Sequence, residues 1–217
     1  MNADTFLQEL DALKADRLAP IVAAGRSSLL GPASGDAKAM LQVALANEIN
    51  VCELAAAWTP STSEIDVKIA FARQAGDEAG HFELVGDRLL ALGFDPEGFR
   101  PPGANPLFEY LRGLSSTVER VAAGLYTLES IAYAVNEDFI DFCSQRGDAE
   151  TVRIYSKYIQ PDEKRHYMLG RRLLAEYATD ASSQTRAREV VGRVFEMATA
   201  GRTQAAARLG TSCLPGC

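Results

Sequence analysis

Histidine is the scarcest polar residue of this chain, with two copies in 217 residues. Tryptophan occurs once and cysteine four times, at positions 52, 143, 213 and 217. Four cysteines in a chain of this length exclude a disulfide-stapled scaffold. Cys213 and Cys217 frame only three residues, a gap that matches no common zinc knuckle, and no second close pair exists. They read as a tail disulfide or an incidental pair, while Cys52 and Cys143 fall in apolar helical pattern and read as buried thiols. Alternating Val, Ile and Thr are scarce, which leaves little room for half-buried strands. No apolar run has the length of a membrane span. Met1–Leu10 has neither the basic start nor the apolar stretch of a signal peptide. The expectation is therefore a cytoplasmic protein away from the membrane. A formal net charge of -7 argues against a nucleic-acid surface. Dinucleotide-binding and iron–sulfur patterns are missing too.

What is present is helix. Hydrophobic residues make up 47% and charged residues 24% of the chain, and alanine, leucine and glutamate dominate at helical spacing. Residues 3–30 suggest one or two helices broken near Pro20. Asp36 can cap a long helix to about Trp58, ended by Pro60. Ser61 or Ser63 opens a second, with Glu64 in its first turn, running to about Leu92 before Gly93. The stretch 93–105 is rich in proline and glycine and reads as a long crossover, continued by a short turn at 106–114. A third long helix runs from about Ser116 to Ser144, and Gly147 and Asp148 turn the chain into a fourth that ends near Tyr177. A last helix covers about 182–209. The order is hairpin, crossover, hairpin. This predicts an all-α, single-domain chain (1–217): a four-helix bundle over about 36–178, an N-terminal helical extension (1–35) and a C-terminal helix.

The two histidines carry the clearest signal. His81 and His166 each follow an Asp-Glu pair, in Asp77-Glu78-Ala79-Gly80-His81 and Asp162-Glu163-Lys164-Arg165-His166. Residues three apart share a helix face, so Glu78 with His81, and Glu163 with His166, can reach one point. With Glu at roughly 7% of residues, both histidines would have Glu at minus three by chance about 0.5% of the time. Both motifs also fall on the second helix of a hairpin.

Helical height selects further glutamates. In an antiparallel hairpin, positions at one height are equidistant from the turn. From a turn at Gly147, Glu163 and His166 face a position near 129–130, where Glu129 stands; Glu137 lies too far along and reads as solvated. In the first hairpin Glu48 lies about one and a half turns from the expected height and Glu53 almost three. Glu48 fits the apolar stripe of Leu41, Leu45, Cys52 and Ala55, whereas Glu53 falls off it. Gln42 is nearer in height, but a neutral amide is a poor bridging ligand. Glu48 is the choice. Carboxylates in a core are costly unless paired or bound to metal, and oxygen and imidazole donors suit iron or manganese. Asp77 and Asp162 would each accept the free ring N–H of a histidine on the opposing helix. Tyr126 and Tyr133, within a turn of Glu129, are placed beside the ligands. Gly76, Ala79, Gly80, Ala122, Ala123, Gly124 and Ala132 are small enough either to leave a substrate cavity or to let helices pack closely.

The set Glu48, Glu78-x-x-His81, Glu129, Glu163-x-x-His166 resembles that of the ferritin-like di-iron carboxylate superfamily, over about 36–177. The resemblance implies a ferritin-like bundle and two iron ions as cofactors, with two manganese or a mixed Mn/Fe pair as the alternative. It implies an oxygen-activating enzyme, a hydroxylase or monooxygenase whose partners are dioxygen, a small organic substrate and a separate reductase or ferredoxin. A homodimer is compatible with it. Bacterioferritin-type iron storage fits less well, because about 35 residues precede the bundle. Rubrerythrin-like peroxidase or manganese-catalase chemistry is a further alternative, although paired Cys-x-x-Cys is missing. A metal-free scaffold leaves the acidic set unexplained.

Overall fold

The computed structural model describes residues 1–31, 35–100 and 105–216, and among these there is no β-strand. Helix α1 spans Ala3–Leu30, α2 Ala37–Ser61, α3 Ile65–Ala91 and the short α4 Pro106–Arg112. Helix α5 passes from Thr117–Val121 through a π-helical stretch, Ala122–Leu128, into Glu129–Gln145. Helix α6 does the same: Ala149–Ile154, then π-helical Tyr155–Ile159, then Gln160–Tyr177. Helix α7 is Ala181–Leu209. No described helix is long and apolar enough to cross a membrane.

Local chemistry sets these boundaries. Asp36, Asn105 and Asp148 cap α2, α4 and α6 by accepting backbone N–H groups, and Ser116 with Glu119 closes a capping box on α5. Gly93 and Gly147 take positive φ (76° and 72°) just past α3 and α5. Two expected breaks are absent. Helix α1 runs straight through Pro20, whose exposed position leaves the unmatched carbonyl one turn back to water. Helix α2 runs through Pro60 to Ser61, and α3 opens at Glu64 rather than at a serine; Glu64 is its cap residue, and its carboxylate accepts the hydroxyls of Ser63 and Thr117. Cys52 is half-buried rather than buried, while Cys143 and Cys213 are buried. Cys217, the other half of the expected tail pair, lies outside the described residues, as do positions 101–104 of the crossover.

Helices α2 and α3 pack along their length as one hairpin, and α5 with α6 forms the other. Helices α1 and α7 pack on the second hairpin. Asp11 of α1 ties that layer together, accepting from Tyr126 of α5 (2.7 Å) and Arg171 of α6 (2.8 Å). The core is split into two apolar clusters. One holds Phe6, Trp58, Phe71, Leu125 and Phe195; the other holds Met40, Leu45, Leu89, Phe139 and Tyr155. On α2, α3 and α6 the polar residues 48, 78–81 and 163–166 fall between them, so a charged layer crosses the middle of the bundle.

Candidate metal centre

Glu48, Glu78, His81, Glu129, Glu163 and His166 converge in that layer, each at most 5% exposed. They form two overlapping quartets. Glu48, Glu78, His81 and Glu163 each place one ligand-type atom within 4.8 Å of the others, and so do Glu78, Glu129, Glu163 and His166. Glu78 and Glu163 belong to both. His81 Nδ1 lies 3.0 Å from Glu78, 3.6 Å from Glu48 and 3.9 Å from Glu163. His166 Nδ1 lies 3.3 Å from Glu78 and 3.4 Å from Glu129.

The opposite ring nitrogens point outward. His166 Nε2 lies 2.9 Å from Asp77, and His81 Nε2 lies 3.4 Å from Asp162. Each aspartate thus serves the histidine of the other Asp-Glu-x-x-His helix. Arg165, two residues after Glu163, donates to both aspartates and covers the pair. With Nε2 facing a carboxylate, each ring turns its Nδ1 toward the glutamates, the atom that a cation would take once its proton has left.

Both helices of the second hairpin are wound wide just before their glutamates. The stretch Ala122–Leu128 runs directly into Glu129, and Tyr155–Ile159 ends four residues before Glu163. A π-helical turn inserts an extra residue and rotates the side chains beyond it about the helix axis. In α5 the Thr127 hydroxyl donates to the Ala122 carbonyl across this turn, at 2.6 Å. Gly170 of α6 sits against the same stretch: a Cβ there would lie 2.6 Å from the Leu125 carbonyl carbon and the Tyr126 nitrogen.

The electrostatics are those of a site short of positive charge. Burial pushes Glu48 up to about 8, against the pull of His81. Burial, reinforced by Glu129, also holds Glu163 well above the carboxylate range. For Glu78 burial acts the same way but is outweighed by the two histidines that face it, His166 and His81, which hold it low. Burial opposes the charged form of both histidines, yet the acids around them win: His81 is raised by Asp162, Glu48 and Glu78, and His166 to about 12 by Glu129 and Asp77. Even so, Glu78 Oε1, Glu163 Oε2 and His166 Nδ1 are buried without a hydrogen-bond partner. These orphaned atoms belong to the two shared glutamates and one histidine. A cation among them would satisfy all three, so the donor set fits a metal ion.

No family model matches this sequence, and no curated protein does. A solved structure from Shewanella denitrificans OS217, a domain of unknown function with a heme oxygenase-like fold, superposes with a TM-score of 0.68. The match covers 98% of this chain and 97% of that chain at 14% identity. The chain has a heme oxygenase-like helical fold. At that identity the likeness concerns the backbone arrangement alone; what a heme oxygenase-like domain does is decided by the side chains it carries.

Other residues singled out in the sequence stand elsewhere in this heme oxygenase-like fold. Tyr126 donates to Asp11, not to a glutamate of the cluster, and Tyr133 lies at a tilt against the Tyr167 ring and lines an outer groove. Gly76 and Gly80 have open space within 4 Å of a Cβ, Gly124 packs against the Trp58 ring, and Ala132 lines the small cavity among the glutamates. Glu53 and Glu137 are exposed. Sequence reasoning missed Gln74, which is buried and donates to Glu129. It stands one turn before Glu78 on the same face, a signal that could have found it. It also missed Arg165, whose role depends on a contact across helices.

Proposed function

We propose that this chain is an oxygen-activating enzyme with a dinuclear iron centre, hydroxylating a small organic substrate with electrons from a separate reductase or ferredoxin. The observation that carries this reading is the sharing of Glu78 and Glu163 between the two quartets. A mononuclear site needs one quartet; two that share two carboxylates suit a pair of ions. Glu48 and His81 would hold one ion, Glu129 and His166 the other, and Glu78 and Glu163 both. Two irons held in this way supply the redox equivalents and open positions for dioxygen chemistry.

The chain's own residues do the rest. Asp77 and Asp162 fix the histidine tautomers, and Arg165 neutralises both aspartates. Gln74 donates to one oxygen of Glu129 and leaves the other toward His166. The cavity among the glutamates, about 10 Å³, has room for about one water. A porphyrin has no place there, whatever the name of the fold.

That same tightness favours a second reading, in which the centre oxidises iron for storage and needs no organic substrate. Anaerobic Fe(II) titration followed by oxygen separates the two. Saturation at about two irons per chain with an oxo-bridged chromophore supports the enzyme. Uptake of many irons per chain supports storage, and failure to bind iron turns the test to manganese.

A further inference from the structure

Helices alone do not close the cavity. Seven of its lining residues are helical, among them Asn47 of α2 and Ala132 of α5; the eighth is Gly216. Past α7 the chain turns at Gly210 (φ 71°) and runs back into the bundle, with Thr211 and residues 213–216 buried. Gly216 fills the seam between α2 and α5. Its N–H donates to Asn136 Oδ1 (2.9 Å), and a Cβ would lie 3.3 Å from Asn47 Nδ2, on a backbone with φ 73° that favours glycine.

This segment is irregular: side-chain bonds fasten it, and Cys213 and Leu214 are buried in the second apolar cluster. Arg202 donates to the carbonyls of Leu214 (2.6 Å) and Gly216 (2.8 Å). Ser212 N–H donates to Ser28 (3.0 Å), and the Cys213 thiol to the Gly25 carbonyl (3.1 Å). Asn136 is 1% exposed, yet its Nδ2 has no partner, which leaves a spare donor beside Gly216. A stretch with no helical ladder of its own opens at lower cost than the helices around it.

We propose that residues 211–216 form a displaceable plug over the carboxylate–histidine centre, fastened by Arg202 and Asn136, and that its opening admits substrate through the α2–α5 seam. The plug rests on the oxygen-activating reading, because a centre that acts on an organic molecule needs an opening wall. Its test does not depend on metal. Full-length, metal-free protein is alkylated with iodoacetamide, and Cys213 is followed by mass spectrometry against Cys143, a thiol of the same apolar cluster that is carried on helix α5. In parallel, a water-soluble carbodiimide with glycinamide reports access to Glu48 and Glu129.

Cys213 should react about tenfold faster than Cys143 or more, as expected for local rather than global opening. Arg202→Ala should raise Cys213 alkylation and Glu48 and Glu129 modification together, with a smaller change at Cys143. Gly216→Ala should do the same by straining the plug outward. Equal rates at Cys213 and Cys143 in the unaltered protein would overturn the proposal. So would a loosened Cys213 with no gain at Glu48 and Glu129. A rise at Cys143 as large as that at Cys213 in both variants would mean that the whole bundle opens, and equally overturn it. A chain that opens in this way but binds no metal would leave the plug standing and remove the dinuclear-iron reading.

Discussion

At the scale of single residues, the shared glutamates make a prediction that a simple acidic cluster does not. Glu78 stands in both quartets and Glu48 in one. Glu78→Ala should abolish binding of both ions, while Glu48→Ala and His166→Ala should each leave about one per chain. Metal analysis after equilibrium dialysis reads this directly, and two ions retained in His166→Ala would sink the ligand assignment. The apo-fold should survive best in Glu48→Ala, which removes a buried carboxylate that is costly without metal, whereas Glu78→Ala and His166→Ala each break a buried charge pair. Asp77→Asn is subtler. The amide can still meet His166 Nε2, but it no longer balances Arg165 or enforces the tautomer. Affinity for one ion should fall by about 10–100-fold with the helices intact. An unchanged affinity would reduce Asp77 to surface charge.

At the scale of elements, the π-helical turns and the glycines opposite them decide where the ligands stand. Gly170→Ala places a methyl 2.6 Å from backbone atoms of Leu125 and Tyr126, which cannot rotate aside. Forcing α5 and α6 apart should cost about 1–3 kcal/mol and weaken metal binding, since Glu129 and Glu163 ride on those helices. Gly76→Ala is the matched control, with nothing near, and should stabilise by about 0.5–1 kcal/mol. Urea unfolding of the pair measures both; equal effects would mean that the close approach of α5 and α6 is not held by Gly170. The same contrast shows what was legible in the sequence. Periodicity and the two Asp-Glu-x-x-His stretches placed six side chains, because i, i+3 spacing and helical height are properties of the chain itself. Glu48 comes into the cluster although it lay off the expected height, since the apolar stripe of α2 determines which face turns inward. Pro20 and Pro60 misled, because an exposed carbonyl can be left to water. The π-helical turns, the reach of Arg165 and the return of the tail over the cavity were not legible, for each depends on a neighbour brought close only by folding.

At the scale of the whole molecule, the metal-free protein carries a pH dependence set by its centre. Glu48, at about 8 when folded, stands above its ordinary 4.5, and His166, at about 12, above 6.5. For both, the folded state binds the proton more tightly than the unfolded chain, so stability is complete below the ordinary value and is lost as pH rises. Glu163 and His81 add in the same direction. Asp77, Asp162 and Glu78 are held below their ordinary values, and their contribution disappears instead as pH falls beneath them. The apo-protein should therefore be most stable near about pH 4.5 and lose Tm steadily toward pH 8. Metal reverses the slope. Its ligands must be deprotonated, so binding expels the protons held by the histidines, Glu48 and Glu163, and the gain in Tm on adding Fe(II) grows as pH rises. Thermal scans of chelator-stripped and iron-loaded protein from about pH 5 to about pH 8, without oxygen, should diverge with increasing pH. Parallel curves would mean that the ions bind elsewhere, because no other described cluster combines two buried histidines with four buried glutamates.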